Sequence, residues 1–214
     1  MRDIPMFSTS LGAASLTLSQ VPYRADAYVW VQSVRDEDLP AFLDECVAFC
    51  RSVGARRVYA TNHPGLVRYP LHCRLIEMRA AKETVTPGDC SLFPVVPENA
   101  KHWAEIYNQR MKDVPAAAYL DDALIRKLPG EKDAYFVHRD GKLLGIGRAK
   151  EDRILVVATT EPGAGEQIVK AMAELLDAET IVVECAEENG KAIHLYERLG
   201  FLKTQVKTQW YQIF

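Results

Sequence analysis

Asn189-Gly190-Lys191-Ala192-Ile193-His194-Leu195-Tyr196-Glu197-Arg198-Leu199-Gly200-Phe201 is the stretch that decides how this chain is read. Ala192, Leu195 and Leu199 recur at helical spacing and form an apolar stripe. Gly200 supplies the stop, and Phe201 the apolar contact that often accompanies a glycine cap. Asn189 at the helix start has two readings, an N-cap or a ligand contact. Helix packing leaves Tyr196 unexplained: it borders the stripe and precedes the carboxylate of Glu197.

Working outward, residues 180–185, Thr-Ile-Val-Val-Glu-Cys, read as a buried strand feeding that helix. About 24 residues before Asn189 lies Thr160-Glu161-Pro162-Gly163-Ala164-Gly165, between an expected strand over 153–159 and an expected helix over 165–176. Such a junction presents unpartnered backbone N–H groups at a helix N-terminus, where the dipole favours an anion. Gly and Pro are also ordinary turn chemistry there, so this feature is ambiguous taken alone. It is neither a Rossmann fingerprint, since Ile168 stands where the third glycine belongs, nor a Walker A loop.

Upstream, the spacing predicts helices over 98–111 and 121–128, then strands over 134–138 and 143–149 joined by Arg139-Asp140-Gly141-Lys142. Asp-Gly suits the two positive-φ positions of a type I′ hairpin, so those strands should pair antiparallel. From about residue 91 the expected order is ααβββαβαβ, ending in closing strands to Phe214. This is an α/β class with a mixed, mostly antiparallel sheet and helices on both faces. Residues 81–97 carry Pro87, Gly88, Pro94 and Pro97 and read as a linker, which gives expected domains of 1–90 and 91–214.

The first segment offers strands over 15–19, 27–31, 57–61 and 74–78, with a helix over 37–53 stopped at Gly54. Residues 62–70 read as loop or broken helix, since Pro64, Gly65 and Pro70 interrupt them. Helix 37–53 followed by strand 57–61 mirrors helix 165–176 followed by strand 180–185, a weak internal repeat of element order.

The C-terminal pattern resembles the GNAT superfamily of acyl-CoA-dependent N-acyltransferases. That family follows an Arg/Gln-x-x-Gly-x-Gly/Ala turn with an Asn-x-x-Ala-x-x-Leu-Tyr-x-x-x-Gly-Phe segment. The second pattern matches at every named position; the first matches at Gly163 and Gly165 but has Thr160 where Arg or Gln is usual. The resemblance covers residues ~93–214, and residues 1–90 look like a degenerate half of the same fold. It implies acetyl-CoA as co-substrate, with its pantetheine arm along the backbone of Val156, Val157 and Ala158. The pyrophosphate would sit on the amides of Gly163, Ala164, Gly165 and Glu166, where a side chain at Gly165 is expected to intrude. Asn189 and Tyr196 would face the thioester end, Tyr196 as the acid for the departing thiolate. The glutamate often found on the strand beside the thioester is absent from Ile154-Leu155-Val156-Val157-Ala158. Glu184 is the alternative base, with Glu187 and Glu188 nearby, and all three also read as solvated surface charges.

Composition bounds the rest. In 214 residues, 48% are hydrophobic and 26% charged, the profile of an ordinary globular chain, and the net charge is −3. That balance gives no electrostatic reason to bind nucleic acid or an anionic membrane surface. Residues 4–23 are uncharged but too rich in Ser and Thr for a signal peptide or a membrane span. Five scattered cysteines (Cys46, Cys50, Cys73, Cys90, Cys185) suit a reducing, cytoplasmic setting. Cys46 and Cys50 with His63, His72 and Cys73 fit no zinc spacing, so no metal is expected. Cys185 reads as packing or as a nucleophile, and His138 as surface or acceptor pocket.

The expected function is transfer of an acetyl group from acetyl-CoA to a small-molecule or peptide primary amine, by direct attack in a ternary complex, in a monomer or homodimer. The alternatives are a non-catalytic acyl-CoA-binding or regulatory domain and an interaction module with no ligand.

Overall fold

The computed structural model describes residues 3–85 and 87–214. The chain divides into two compact units, Met1–Arg74 with Val206–Phe214, and Leu75–Gln205.

In the first unit, β1 (Ile4–Ser8) and β2 (Gly12–Thr17) precede a single helical turn, α1 (Val21–Arg24), and β3 (Asp26–Val34). Helix α2 (Leu39–Ser52) then leads into β4 (Arg57–Thr61). Strands β1, β2 and β3 pair antiparallel in sequence, and β4 lies parallel to β3. Alternation along the strands sends Ala27, Val29, Val31, Val58 and Ala60 to one face, where Phe42, Leu43, Cys46 and Cys50 of α2 close the core. The break expected over 62–70 is a 3₁₀ turn, Pro64–Arg68.

In the second unit, β5 (Leu71–Ala81), most of which belongs here, pairs antiparallel with β10 (Thr180–Ala186), from Thr180↔Ala81 to Ala186↔Leu75. The expected boundary at residue 90 therefore falls inside this unit. The linker expected over 81–97 contains β6 (Ser91–Pro94), paired with β7 (Ala134–Arg139). β6 lies at the end of the strand order, and an edge strand tolerates the proline that suggested a linker. Thr86, within that stretch, lies outside the described residues.

Helices α3 (Ala100–Arg110) and α4 (Asp122–Glu131) follow β6. Asp121 caps α4, its carboxylate accepting from Ala123 N and Leu124 N at 2.9 Å, a contact worth about 1 kcal/mol. Trp103 of α3 is fully buried, and its indole N–H donates to Tyr135 O at 3.1 Å. Strands β7 and β8 (Lys142–Lys150) form the expected hairpin, with Asp140 at φ 51° and Gly141 at φ 76°.

β9 (Arg153–Thr159) runs antiparallel to β8 and leads into α5 (Gly165–Glu174). After β10 comes α6 (Gly190–Arg198). The closing strands are one long strand, β11 (Leu202–Gln212), because no Gly or Pro interrupts those residues to make a turn. β9–α5–β10 is thus a parallel pair joined through a helix, as β3–α2–β4 is in the first unit. In each unit the strand before the pair is antiparallel to its first member. The N-terminal unit is a partial repeat of the C-terminal one.

Candidate active site

β9 and β10 pair parallel only at Val182↔Arg153 and Val183↔Ile154, and beyond that point they diverge. The cause lies on the other edge of β9. Its register with β8 runs Ala149↔Ile154 and then Arg148↔Val156, which leaves Leu155 as an extra residue. An inserted residue bends the strand and reverses which side chains face which side. Ile154 accordingly packs in the core with α5 and α6, whereas Ala158 and Val156 pack with the α3 and α4 core.

A cavity of about 240 Å³ opens at this fork. Val156, Val157, Glu184, Asn189 and Tyr196, five of the residues singled out in the sequence, line it. Ala158 does not; it is buried beneath α3 and paired with Ile146. Sequence reasoning missed Leu155, Tyr107, Met111 and the run Val114-Pro115-Ala116-Ala117, which form the opposite wall. The signal was present in that run, since consecutive apolar residues in a loop need something to cover.

Tyr196 lies on α6, 7% exposed, with its ring 5.6 Å from that of Phe201. Burial pushes its phenol well above the ordinary value, and the neighbouring Cys185 adds to the shift. Its hydroxyl has no hydrogen-bond partner among the described residues, so it is protonated and available to donate. Cys185 also lines the cavity, and burial raises its thiol to about 11, which makes it a poor nucleophile at neutral pH. Asn189 caps α6, its side chain accepting from Ala192 N at 3.3 Å. It does this while lining the cavity.

Glu184 is ion-paired to Arg153 at 2.7 Å. Arg153 also reaches Glu77 at 3.4 Å, a fully buried carboxylate on β5 that accepts from Arg79 and Gln205 at 2.8 and 3.0 Å. Glu187 pairs with Lys203. His138 is absent from the cavity wall; it packs edge-on to Phe93 at 4.9 Å, and its Nδ1 is buried without a hydrogen-bond partner.

At the glycine turn, Gly163 has φ +79° and open space where a Cβ would stand. Ala164 N bonds Glu161 O at 3.3 Å, whereas Gly165, Glu166 and Gln167 supply first-turn amides that a helix cannot satisfy internally. A Cβ on Gly165 would meet Leu195 Cδ2 at 2.8 Å. The glycine lets α5 approach α6. The Thr160 hydroxyl is turned away, donating to Leu143 O at 2.9 Å, and Arg110 of α3 donates to Thr160 O at 3.3 Å. Glu166 bonds Lys170 at 2.8 Å, which holds its carboxyl below the usual range.

Cys46 and Cys50 lie in the N-terminal core, their thiols raised by burial to about 12 and 11. Among the described residues, no group of three or more His, Cys, Asp or Glu is placed to hold a metal ion, and no helix is long and apolar enough to cross a membrane.

Comparison with known proteins agrees with this architecture. The model of the FR47-like protein family matches residues 155–211, from the extra residue on β9 through the last strand. No curated protein matches the sequence. Among solved structures, a GCN5-related N-acetyltransferase from Sphaerobacter thermophilus superposes with TM-score 0.59 at 14% identity, covering 94% of this chain and 75% of that one. A tandem GNAT protein from the clavulanic acid biosynthesis pathway gives TM-score 0.56 at 15% identity, over 94% and 78%. A functionally unknown conserved protein from Staphylococcus epidermidis gives TM-score 0.58 at 10% identity, over 96% and 91%. The chain has the fold of the GNAT N-acetyltransferases, built as a complete C-terminal unit after a partial N-terminal repeat, with an FR47-like segment at its C-terminal end.

Proposed function

We propose that this protein is an acetyl-CoA-dependent N-acetyltransferase that acylates a primary amine by direct attack in a ternary complex. The observation that carries the reading is the fork between β9 and β10, with a protonated, unpartnered tyrosine hydroxyl in its cavity. Beyond Ile154 the backbone of β9 has no strand partner on its β10 side among the described residues, so it can bond an extended amide-bearing arm as an added strand would. The amides of Gly165, Glu166 and Gln167 suit a pyrophosphate.

Acetyl-CoA supplies an activated thioester carbonyl. As the amine nitrogen bonds to that carbon and the C–S bond breaks, Tyr196 gives its proton to the sulfur. The nitrogen sheds one proton to water, and the tyrosinate recovers one from solvent. A second reading, acyl-CoA binding without turnover, is favoured by the Glu184–Arg153 pair, which engages one oxygen of the carboxylate at the cavity.

Calorimetric titration with acetyl-CoA, followed by a thiol-release assay over an amine panel, tests the two together. Saturable binding with amine-dependent thiol release is expected. Binding without release would favour the second reading, and no binding would end both. Bound ligand at 100 times its dissociation constant adds about 2.7 kcal/mol to stability, an independent readout by thermal melting.

A further inference from the structure

The two walls of the fork cavity leave different chemistry for an amine. Under the proposed function, on which this inference rests, Asn189, Ala192 and Tyr196 of α6 face the thioester arm. What remains for the acceptor is the opposite wall, built from the Tyr107 ring, Met111, the 114–117 run and Leu155. That wall is apolar. Among the described residues no lysine or arginine lines the cavity, so no cation there pairs with a carboxylate on the acceptor.

Among the described residues, Glu184 is the one carboxylate in the lining. Arg153 takes its Oε1 at 2.7 Å, while Oε2 has no partner among the described residues. The guanidinium is itself anchored on the fully buried Glu77, so the carboxylate is held in place with one oxygen left for a ligand. The cavity, about 240 Å³, falls below the range of about 300–1,000 Å³ typical of sites for drug-sized ligands. A single ammonium on a small apolar body matches one carboxylate against an apolar wall. A polyamine brings further ammonium groups with no counter-charge there, and burying an unpaired charge is costly.

We propose that the acceptor is a small apolar monoamine, of the alkyl or arylalkyl class, which docks on Glu184 Oε2 as the ammonium and gives one proton to water before it attacks as the neutral amine. The test is titration of hexylamine, phenethylamine, spermidine and glycine into CoA-saturated protein, wild type and Glu184→Gln. CoA cannot acylate the amine, so binding is read without turnover. Hexylamine or phenethylamine should bind at least tenfold more tightly than spermidine or glycine, and Glu184→Gln should weaken them at least tenfold while CoA affinity holds. Preference for spermidine or glycine, or unchanged amine binding in Glu184→Gln, overturns the proposal. These outcomes are separate from the proposed activity, which falls instead if acetyl-CoA does not bind or no amine releases thiol.

Discussion

Tyr196 and Cys185 share one cavity, and burial acts on both in the same direction with different consequences. A phenol raised above its ordinary value of about 10 stays protonated through the neutral range, which is what a donor to a thiolate needs. Tyr196→Phe keeps the packing against Phe201 and removes the donor. Under the proposed function, turnover should fall by about 10²–10⁴-fold with acetyl-CoA affinity nearly unchanged, and wild-type turnover in that variant would remove Tyr196 from the chemistry. The same logic disarms the cysteine. With a thiol near 11, Cys185 has a thiolate fraction at pH 8 about two orders of magnitude below that of a free thiol. Iodoacetamide should therefore label it about 100-fold more slowly than a model peptide thiol at pH 8, with the rate rising as pH approaches 11. Rapid labelling at pH 8 would show that burial does not govern this thiol.

At the level of elements, the helices were legible because their periodicity and caps are local, and the hairpin because Asp140-Gly141 admits few alternatives. The fork was not legible. Residues 154–158 are uniformly apolar, so no alternation betrays that Leu155 is extra and that the faces exchange around it. β6 was hidden by its proline, and the membership of β5 by the long separation between it and β10. The site followed the same division: α6 and the glycine turn could be read as motifs, whereas the 114–117 wall depends on tertiary placement. Gly165 shows how a motif residue can be needed for packing. Its missing Cβ lets Leu195 sit against α5, so Gly165→Ala should cost about 1–3 kcal/mol through overpacking. Trimming the opposing side chain should relieve that clash. In a double-mutant cycle by urea denaturation, Leu195→Ala should be less damaging in the Gly165→Ala background than alone; additive losses would mean that the two do not meet.

For the whole molecule, the division between units carries two expectations, one for each unit. β10 needs β5, with which it pairs along its entire length, yet β5 precedes residue 91. A chain begun at Ser91 would leave that edge of β10 unpaired, a ready template for association. It should elute as aggregate in size-exclusion chromatography, and a monomeric, cooperatively melting fragment would contradict this.

The N-terminal unit repeats the strand–helix–strand order with a longer parallel pairing. β3 and β4 stay in parallel register from Asp26↔Arg57 through Trp30↔Thr61, five consecutive pairs, where β9 and β10 manage two before parting. The β4 side of β3 is thus paired over residues 26–30, a longer stretch than β9 shares with β10. The junction before α2 differs as well. In place of Gly-x-Gly it carries Asp36, Glu37 and Asp38, the last two paired with Arg35, so a pyrophosphate approaching the amides of that helix would meet an excess of carboxylate. Pairing and charge both disfavour a ligand in this half. Titration of the intact chain with acetyl-CoA should therefore saturate at one molecule per chain, and the stoichiometry should stay at one in 0.5 M salt, because screening weakens the repulsion without unzipping the strands. A second equivalent bound at high salt would mean that charge alone had closed the N-terminal unit, and two equivalents at low salt would mean that neither barrier exists.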